Sequence, residues 1–147
     1  MAIKYKIIKN AISKDLAEFC FNYFNIKRQV VYYLWDKNFI PNNVTMFGTL
    51  EDAQVPNTYS HYADLVMETL LLKCQDNLEK VLNFKLQPAY SYARIYKKGD
   101  ILKRHKDRFS CELSITLNLG GDVWPIYLKD KKEIEVNLKP GDMLVYY

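Results

Sequence analysis

The sequence predicts an α+β fold, with helices in its first half and antiparallel strands in its second. Three observations predict it. Apolar residues recur at helical spacing up to about Phe84. Beyond Phe84 they fall into short runs separated by turn residues. The chain has 147 residues, 49% of them apolar or aromatic and 26% charged. That is one domain's worth with a globular balance, able to bury roughly two-thirds of its unfolded surface. Helices followed by a run of strands predict helices packed on one face of a β-sandwich or barrel. One domain over residues 1–147 is expected, with helical support over about 13–84 and strands over about 87–147.

Ser13 is placed to cap the first helix, with Asp15 and Glu18 near its positive end. Leu16, Phe19, Cys20, Tyr23 and Phe24 follow at helical spacing, and the helix runs to about Trp35. Asp36–Asn57 carries Pro41, Asn42, Asn43, Gly48 and Pro56. It reads as a loop long enough to act as a lid or substrate loop. A second helix is expected from Thr58 or Ser60, opened by His61 as a structural or surface histidine. Its apolar face would be Leu65, Val66, Leu70, Leu72, Leu78, Val81 and Leu82.

Strands are expected over Gln87–Tyr96, Ile101–Arg104, Glu112–Leu119, Val123–Leu128, Glu133–Leu138 and Met143–Tyr147. Turns separate them at Lys97–Asp100, Gly120–Asp122, Lys129–Lys132 and Pro140–Asp142. In Glu133–Leu138 the apolar Ile134, Val136 and Leu138 alternate inward. Met143–Tyr147 is apolar enough to be a central strand with a neighbour on each side.

No apolar run approaches the roughly 20 residues of a membrane span, and the N-terminus has no signal-peptide pattern. A net charge of +4 is too small to argue nucleic acid alone. Cys20, Cys74 and Cys111 are an odd count without CxxC, against a disulfide framework or zinc knuckle. They read as buried or idle thiols of a reducing cytosol, so a cytoplasmic location is expected.

His105-Lys106-Asp107 is the one ligand-like pair. In an extended segment, positions two apart point the same way, so one imidazole and one carboxylate can meet a single metal ion. That is two-thirds of the 2-His-1-carboxylate triad that leaves Fe(II) open positions. The alternative is a surface ion pair in a basic stretch with Lys103, Arg104 and Arg108. Ser114, Thr116 and Asn118 share one strand face, opposite Ile115, Leu117 and Leu119. This polar row either meets a polar ligand or faces solvent. Tyr92, Arg94 and Tyr96 also share a face. Arg94 would meet a substrate carboxylate or phosphate, or pair with a buried acid such as Glu112. Arg108 is read as a substrate contact or a solvated charge, and Trp124 as a pocket wall or core packing.

The stretch Tyr92-Ala93-Arg94-Ile95-Tyr96-Lys97-Lys98-Gly99, followed by His105-Lys106-Asp107, resembles the entry to the iron site of prolyl-4-hydroxylase-like 2-oxoglutarate/Fe(II)-dependent dioxygenases. Their pattern runs R-x-Y-x-x-G, then H-x-D. Ser114–Leu119 resembles the family's next core strand, Gly120–Pro125 its following turn and strand, and Pro140–Tyr146 its P-x-x-G-D strand. The resemblance covers Gln87–Tyr147 and implies a double-stranded β-helix core of jelly-roll or cupin type behind the N-terminal helices. It implies iron ligation by His105 and Asp107 and cosubstrate contacts from Tyr96, Thr116 and Asn118. Tyr92, Arg94, Arg108 and Trp124 are the substrate-side candidates. The implied cofactors are Fe(II) and 2-oxoglutarate with O₂ as cosubstrate, and the resemblance also allows ascorbate.

The implied activity is C–H hydroxylation of a peptidyl proline or free amino acid, with succinate and CO₂ as coproducts. Two alternatives are carried. One is a related branch that demethylates nucleic acid bases, which the mild basicity permits and no basic-aromatic stripe compels. The other is a non-catalytic β-sandwich binding module, with Tyr32, Tyr33, Tyr59 and Tyr62 as contact aromatics. His61 and His105 are the only histidines, so no matched position supplies the third ligand or, after it, the basic clamp for 2-oxoglutarate. The expectation is that about six of eight core strands are present, and that a further segment of roughly 30–50 residues carries the rest. A site with two protein ligands should hold metal poorly.

Overall fold

The computed structural model describes residues 4–129 and 132–147. In chain order its elements are β1 (Tyr5–Ile8), α1 (Lys14–Asp36), a short 3₁₀ turn (Thr45–Phe47), β2 (Ser60–Tyr62), α2 (Leu65–Leu82), β3 (Tyr92–Arg94), β4 (Ser114–Leu117), β5 (Ile126–Lys129), β6 (Glu133–Val136) and β7 (Met143–Tyr146). This is a mixed α+β chain with two helices and small antiparallel sheets. It divides into two compact units, one running up to Phe21 and resuming at Asp107–Tyr147, the other being Asn22–Lys106. Helix α1 belongs to both, changing unit after Phe21.

The discontinuous unit is built on a three-stranded antiparallel sheet ordered β1-β7-β4. Met143 of β7 stands opposite Ile8 on one side and Leu117 on the other. The apolar run of β7 is thus central, and Met143, Leu144 and Val145 are at most 1% exposed. Burial of this kind contributes about 1.5–3 kcal/mol for each large aliphatic side chain. A separate pair, β5 and β6, places Ile126 opposite Val136 and Leu128 opposite Ile134. Leu128, Val136, Leu138 and Leu144 form the core, with Ile126, Ile134 and Tyr146 packed against it. The inward alternation expected for Ile134, Val136 and Leu138 is therefore observed.

The turn into β7 is held from several sides. Asp142 accepts from Lys9 Nζ at 2.7 Å and from the backbone N–H of Asn10 at 3.0 Å. These bonds and the Lys139 N–H overcome the burial that would raise its pKa, and hold the carboxyl below its ordinary range. Gly141 adopts φ 87°, and a Cβ there would lie 2.8 Å from the Ile12 carbonyl oxygen.

In the second unit, α1 continues with Phe24 and Val31 buried, and α2 buries Met67, Leu70, Cys74 and Leu78. Asp64 caps α2, its Oδ1 accepting from Val66 N–H at 3.0 Å and Met67 N–H at 3.1 Å. The β2–β3 pair sets His61 opposite Ala93 and Ser60 opposite Arg94. Tyr59 is 1% exposed and packs on Phe24, with ring centroids 5.2 Å apart.

Several expectations need correction. The segment expected to open the second helix is extended, because Ser60–Tyr62 pairs with β3 and the cap is Asp64. Leu65 and Leu72, assigned to the apolar face of α2, are 82% and 59% exposed, while the unassigned Met67 and Cys74 are buried. Phe19, one of the residues at helical spacing in α1, is 64% exposed, whereas Ala17 is buried. The expected strand Gln87–Tyr96 shrinks to Tyr92–Arg94, the residues that find a partner in β2. Ile101–Arg104 is not a strand; it has no ladder partner, and Ile101 is 73% exposed. Val123, expected in a strand, is also 73% exposed and precedes β5. Residues 130 and 131 of the expected Lys129–Lys132 turn lie outside the described residues. Strand β1 was not foreseen.

Candidate functional site

The candidate residues fall in both units. His105, Tyr92, Arg94 and Tyr96 belong to Asn22–Lys106, and Asp107, Arg108, Thr116, Asn118 and Trp124 to the discontinuous unit.

In the discontinuous unit, Asp107 is brought onto the end of the three-stranded sheet. The Tyr146 phenol donates to Asp107 Oδ2 at 3.0 Å. Tyr146 stands opposite Ser114 in the β4–β7 register, and its phenol also interacts with the hydroxyls of Thr116 and Ser114. Burial, then the negative charge of Asp107, pushes the Tyr146 phenol up to about 12, so it remains a donor at neutral pH. Sheet, phenol and hydroxyls thus orient one carboxylate. Arg108 is exposed; its carbonyl accepts from Cys111 N–H at 2.8 Å. Trp124 is 36% exposed, at the edge of this unit's surface rather than in its core.

Asn118 has a structural task. Its Nδ2 donates to the Leu138 carbonyl at 2.9 Å, and its backbone bonds Gly141 and Asp142 at 2.8 and 3.1 Å. The end of β4 is thereby tied to the turn before β7. Asn118 Oδ1 is buried with no hydrogen-bond partner among the described residues. An open acceptor suits a water or hydroxyl donor, and it does not suit a dicarboxylate, which brings only acceptors.

In the unit Asn22–Lys106, β3 sets Arg94 between two phenol rings, its guanidinium 5.1 Å from the Tyr92 centroid and 5.5 Å from that of Tyr96. Nη1 donates to Tyr96 Oη at 3.0 Å. Nη2 donates to Asp52, and to Gln54 Oε1 at 3.3 Å. The Tyr92 phenol also donates to Asp52, and its oxygen accepts from the Ser60 hydroxyl at 2.9 Å. Both members of the Arg94–Asp52 pair are 8% exposed. Burial alone would raise the Asp52 pKa, but its bonds from Tyr92, Arg94 and the Gln54 N–H outweigh this and lower it. The acid that meets Arg94 is therefore Asp52, not Glu112. His105 is exposed, and its Nδ1 lies 2.9 Å from the Lys103 carbonyl. A carbonyl only accepts, so Nδ1 carries a proton and the neutral ring has its lone pair on Nε2. Metal-binding imidazoles are commonly oriented in this way.

A second polar cluster escaped sequence reasoning. Lys27 pairs with Asp64 and lies 2.8 Å from His61 Nδ1, and the Tyr23 phenol donates to Asp64 at 2.8 Å. Tyr23 and Lys27 are one helical turn apart, and Asp64 follows His61 by three, the only trace the cluster leaves in the sequence. Burial first, then the charge of Lys27, lowers the His61 pKa, so the ring is neutral at neutral pH and accepts from the lysine.

In kind, the donors fit ferrous iron: an imidazole nitrogen at His105 and a carboxylate oxygen at Asp107. No group of three or more His, Cys, Asp or Glu side chains is gathered for a metal among the described residues. No helix among them is long and apolar enough to cross a membrane. Comparisons with protein-family models, with curated proteins and with solved structures find no match.

Proposed function

We propose that the chain is a 2-oxoglutarate- and O₂-dependent Fe(II) oxygenase of the prolyl-4-hydroxylase-like kind, hydroxylating a C–H bond of a peptidyl-prolyl or amino-acid substrate on a double-stranded β-helix core. The observation that carries the reading is the Tyr146–Asp107 hydrogen bond, which fixes the carboxylate of the H-x-D motif at the end of β7, itself the strand of the P-x-x-G-D resemblance. When bound, iron with 2-oxoglutarate supplies the oxidising chemistry, consuming O₂ and releasing succinate and CO₂. The chain's own residues bind and orient. Asp107 and His105 offer the two donors. Thr116, on the strand beside Tyr146, offers a hydroxyl suited to a cosubstrate carboxylate. Tyr146 keeps its proton and holds Asp107 as an acceptor in one orientation.

The test is succinate formation from 2-oxoglutarate with Fe(II), against a peptide and amino-acid panel, for the wild type and for His105→Ala and Asp107→Ala. Substrate-dependent succinate that both substitutions abolish supports the reading; succinate indifferent to them overturns it. One observation favours a binding module instead: His61 is buried and engaged by Lys27 and Asp64, which leaves His105 as the single imidazole beside Asp107 in sequence. A folded protein that forms no succinate with any substrate and still binds a peptide or nucleic acid would select that reading.

A further inference from the structure

We propose that Arg94 is a receptor for a small free carboxylate, and that Asp52 holds its place when no such ligand is bound. The inference rests on the oxygenase reading only in calling that ligand a substrate. Arg94 is fixed before any ligand arrives, 8% exposed between the rings of Tyr92 and Tyr96. Its Nη1 and Nη2 have acceptors, but Nε is buried with none among the described residues. A carboxylate grips a guanidinium best through two parallel hydrogen bonds, one from each of two adjacent nitrogens. Asp52 does not do this. Its Oδ2 takes the bonds from Arg94 Nη2 and Tyr92, while its Oδ1 is committed to the Gln54 N–H of its own loop at 2.7 Å. The Nε–Nη2 edge is therefore half used.

A ligand carboxylate with both oxygens available completes the fork and gives Nε an acceptor. It replaces one negative charge by another, so the buried guanidinium stays neutralised throughout the exchange. Asp52 lies in the irregular stretch between the 3₁₀ turn and β2, where it can leave without breaking a helix or strand. The chemistry selects the ligand class. A free α-amino acid or similar small acid presents a carboxylate; an internal residue of a peptide presents an uncharged amide and has no claim on Asp52's position.

The test uses the full chain labelled with ¹⁵N-arginine, with the Arg94 Nε–H resonance identified by its loss in Arg94→Lys. The probes are the standard α-amino acids, each beside its primary amide. At least one acid, and not its amide, should move that resonance. The same acid should bind Asp52→Asn about tenfold more tightly, because the internal competitor is gone. The proposal is overturned if no acid moves the resonance, or if amides match acids; the wild-type arm decides this even should Asp52→Asn not fold. Succinate formation is scored separately. A shifted resonance without succinate supports the receptor and sinks the oxygenase reading, whereas amino-acid-dependent succinate without a shift overturns the receptor alone.

Discussion

Lys27 and Asp64 form an ion pair with the carboxylate 0% and the lysine 18% exposed. Asp64 also caps α2 and accepts from Tyr23. Removing one partner leaves an uncompensated buried cation. Asp64→Ala is therefore expected to lower stability by about 3–5 kcal/mol. Urea unfolding followed by circular dichroism checks this, and a loss below about 1 kcal/mol would show that the pair is not formed in solution.

His61 makes stability depend on pH before any carboxylate does. Burial and Lys27 hold its pKa below the ordinary 6.5. Below pH 6.5 the unfolded ring takes up a proton that the folded ring resists, so unfolding binds protons and stability falls as pH drops toward the folded value. Asp52, Asp64 and Asp142 are shifted down from 3.8, so their contribution is complete above that value and is lost further down. Urea midpoints measured across pH should show two phases, and His61→Gln should remove the upper one. An unchanged upper phase would rule out His61 as its source.

The Tyr146 phenol orients Asp107, and partners of this kind govern metal affinity. Under the proposed iron ligation, Tyr146→Phe should weaken Mn(II) binding by roughly tenfold or more. Paramagnetic resonance titration of free Mn(II) measures it. Equal affinities would separate Asp107 from metal binding or Tyr146 from Asp107.

Gly141 and Gly99 share a positive φ, at 87° and 94°, but not their surroundings. A Cβ at Gly99 meets nothing within 4 Å, whereas at Gly141 it meets the Ile12 carbonyl. Gly99→Ala should cost only the backbone strain, about 1 kcal/mol, and Gly141→Ala more, about 2–3 kcal/mol. Equal losses in paired thermal melts would show that the contact with Ile12 relaxes freely.

The parts legible in the sequence are those encoded locally. Ser13 and the periodicity behind it mark α1 almost to its ends, and the Ser13 hydroxyl does accept from Leu16 N–H at 3.2 Å. The apolar run at Met143 marks a central strand. Which strand flanks it is a long-range matter, and β1 was missed because four residues with an exposed face carry no period. The shared face of Tyr92, Arg94 and Tyr96 follows from the two-residue period, but the acid opposite Arg94 comes from 42 residues away, in a loop without pattern. The start of α2 differs because Ser60–Tyr62 is held extended by pairing with β3, and only Asp64 signals the true cap.

The pairing of β1 with β7 has a consequence for how the protein is made. Everything from Asn22 to Lys106 is joined to the chain before the first residue of β4 or β7. For the roughly 7–27 s that translation from Ile8 to Met143 takes, Tyr5–Ile8 has no native strand to pair with. Lys4 and Lys9 flank it, and Lys6 lies within it, during that wait. Like charges on a short, bare strand repel a second nascent copy, so the segment that waits longest for its partner is protected against pairing with a neighbour on the same messenger RNA.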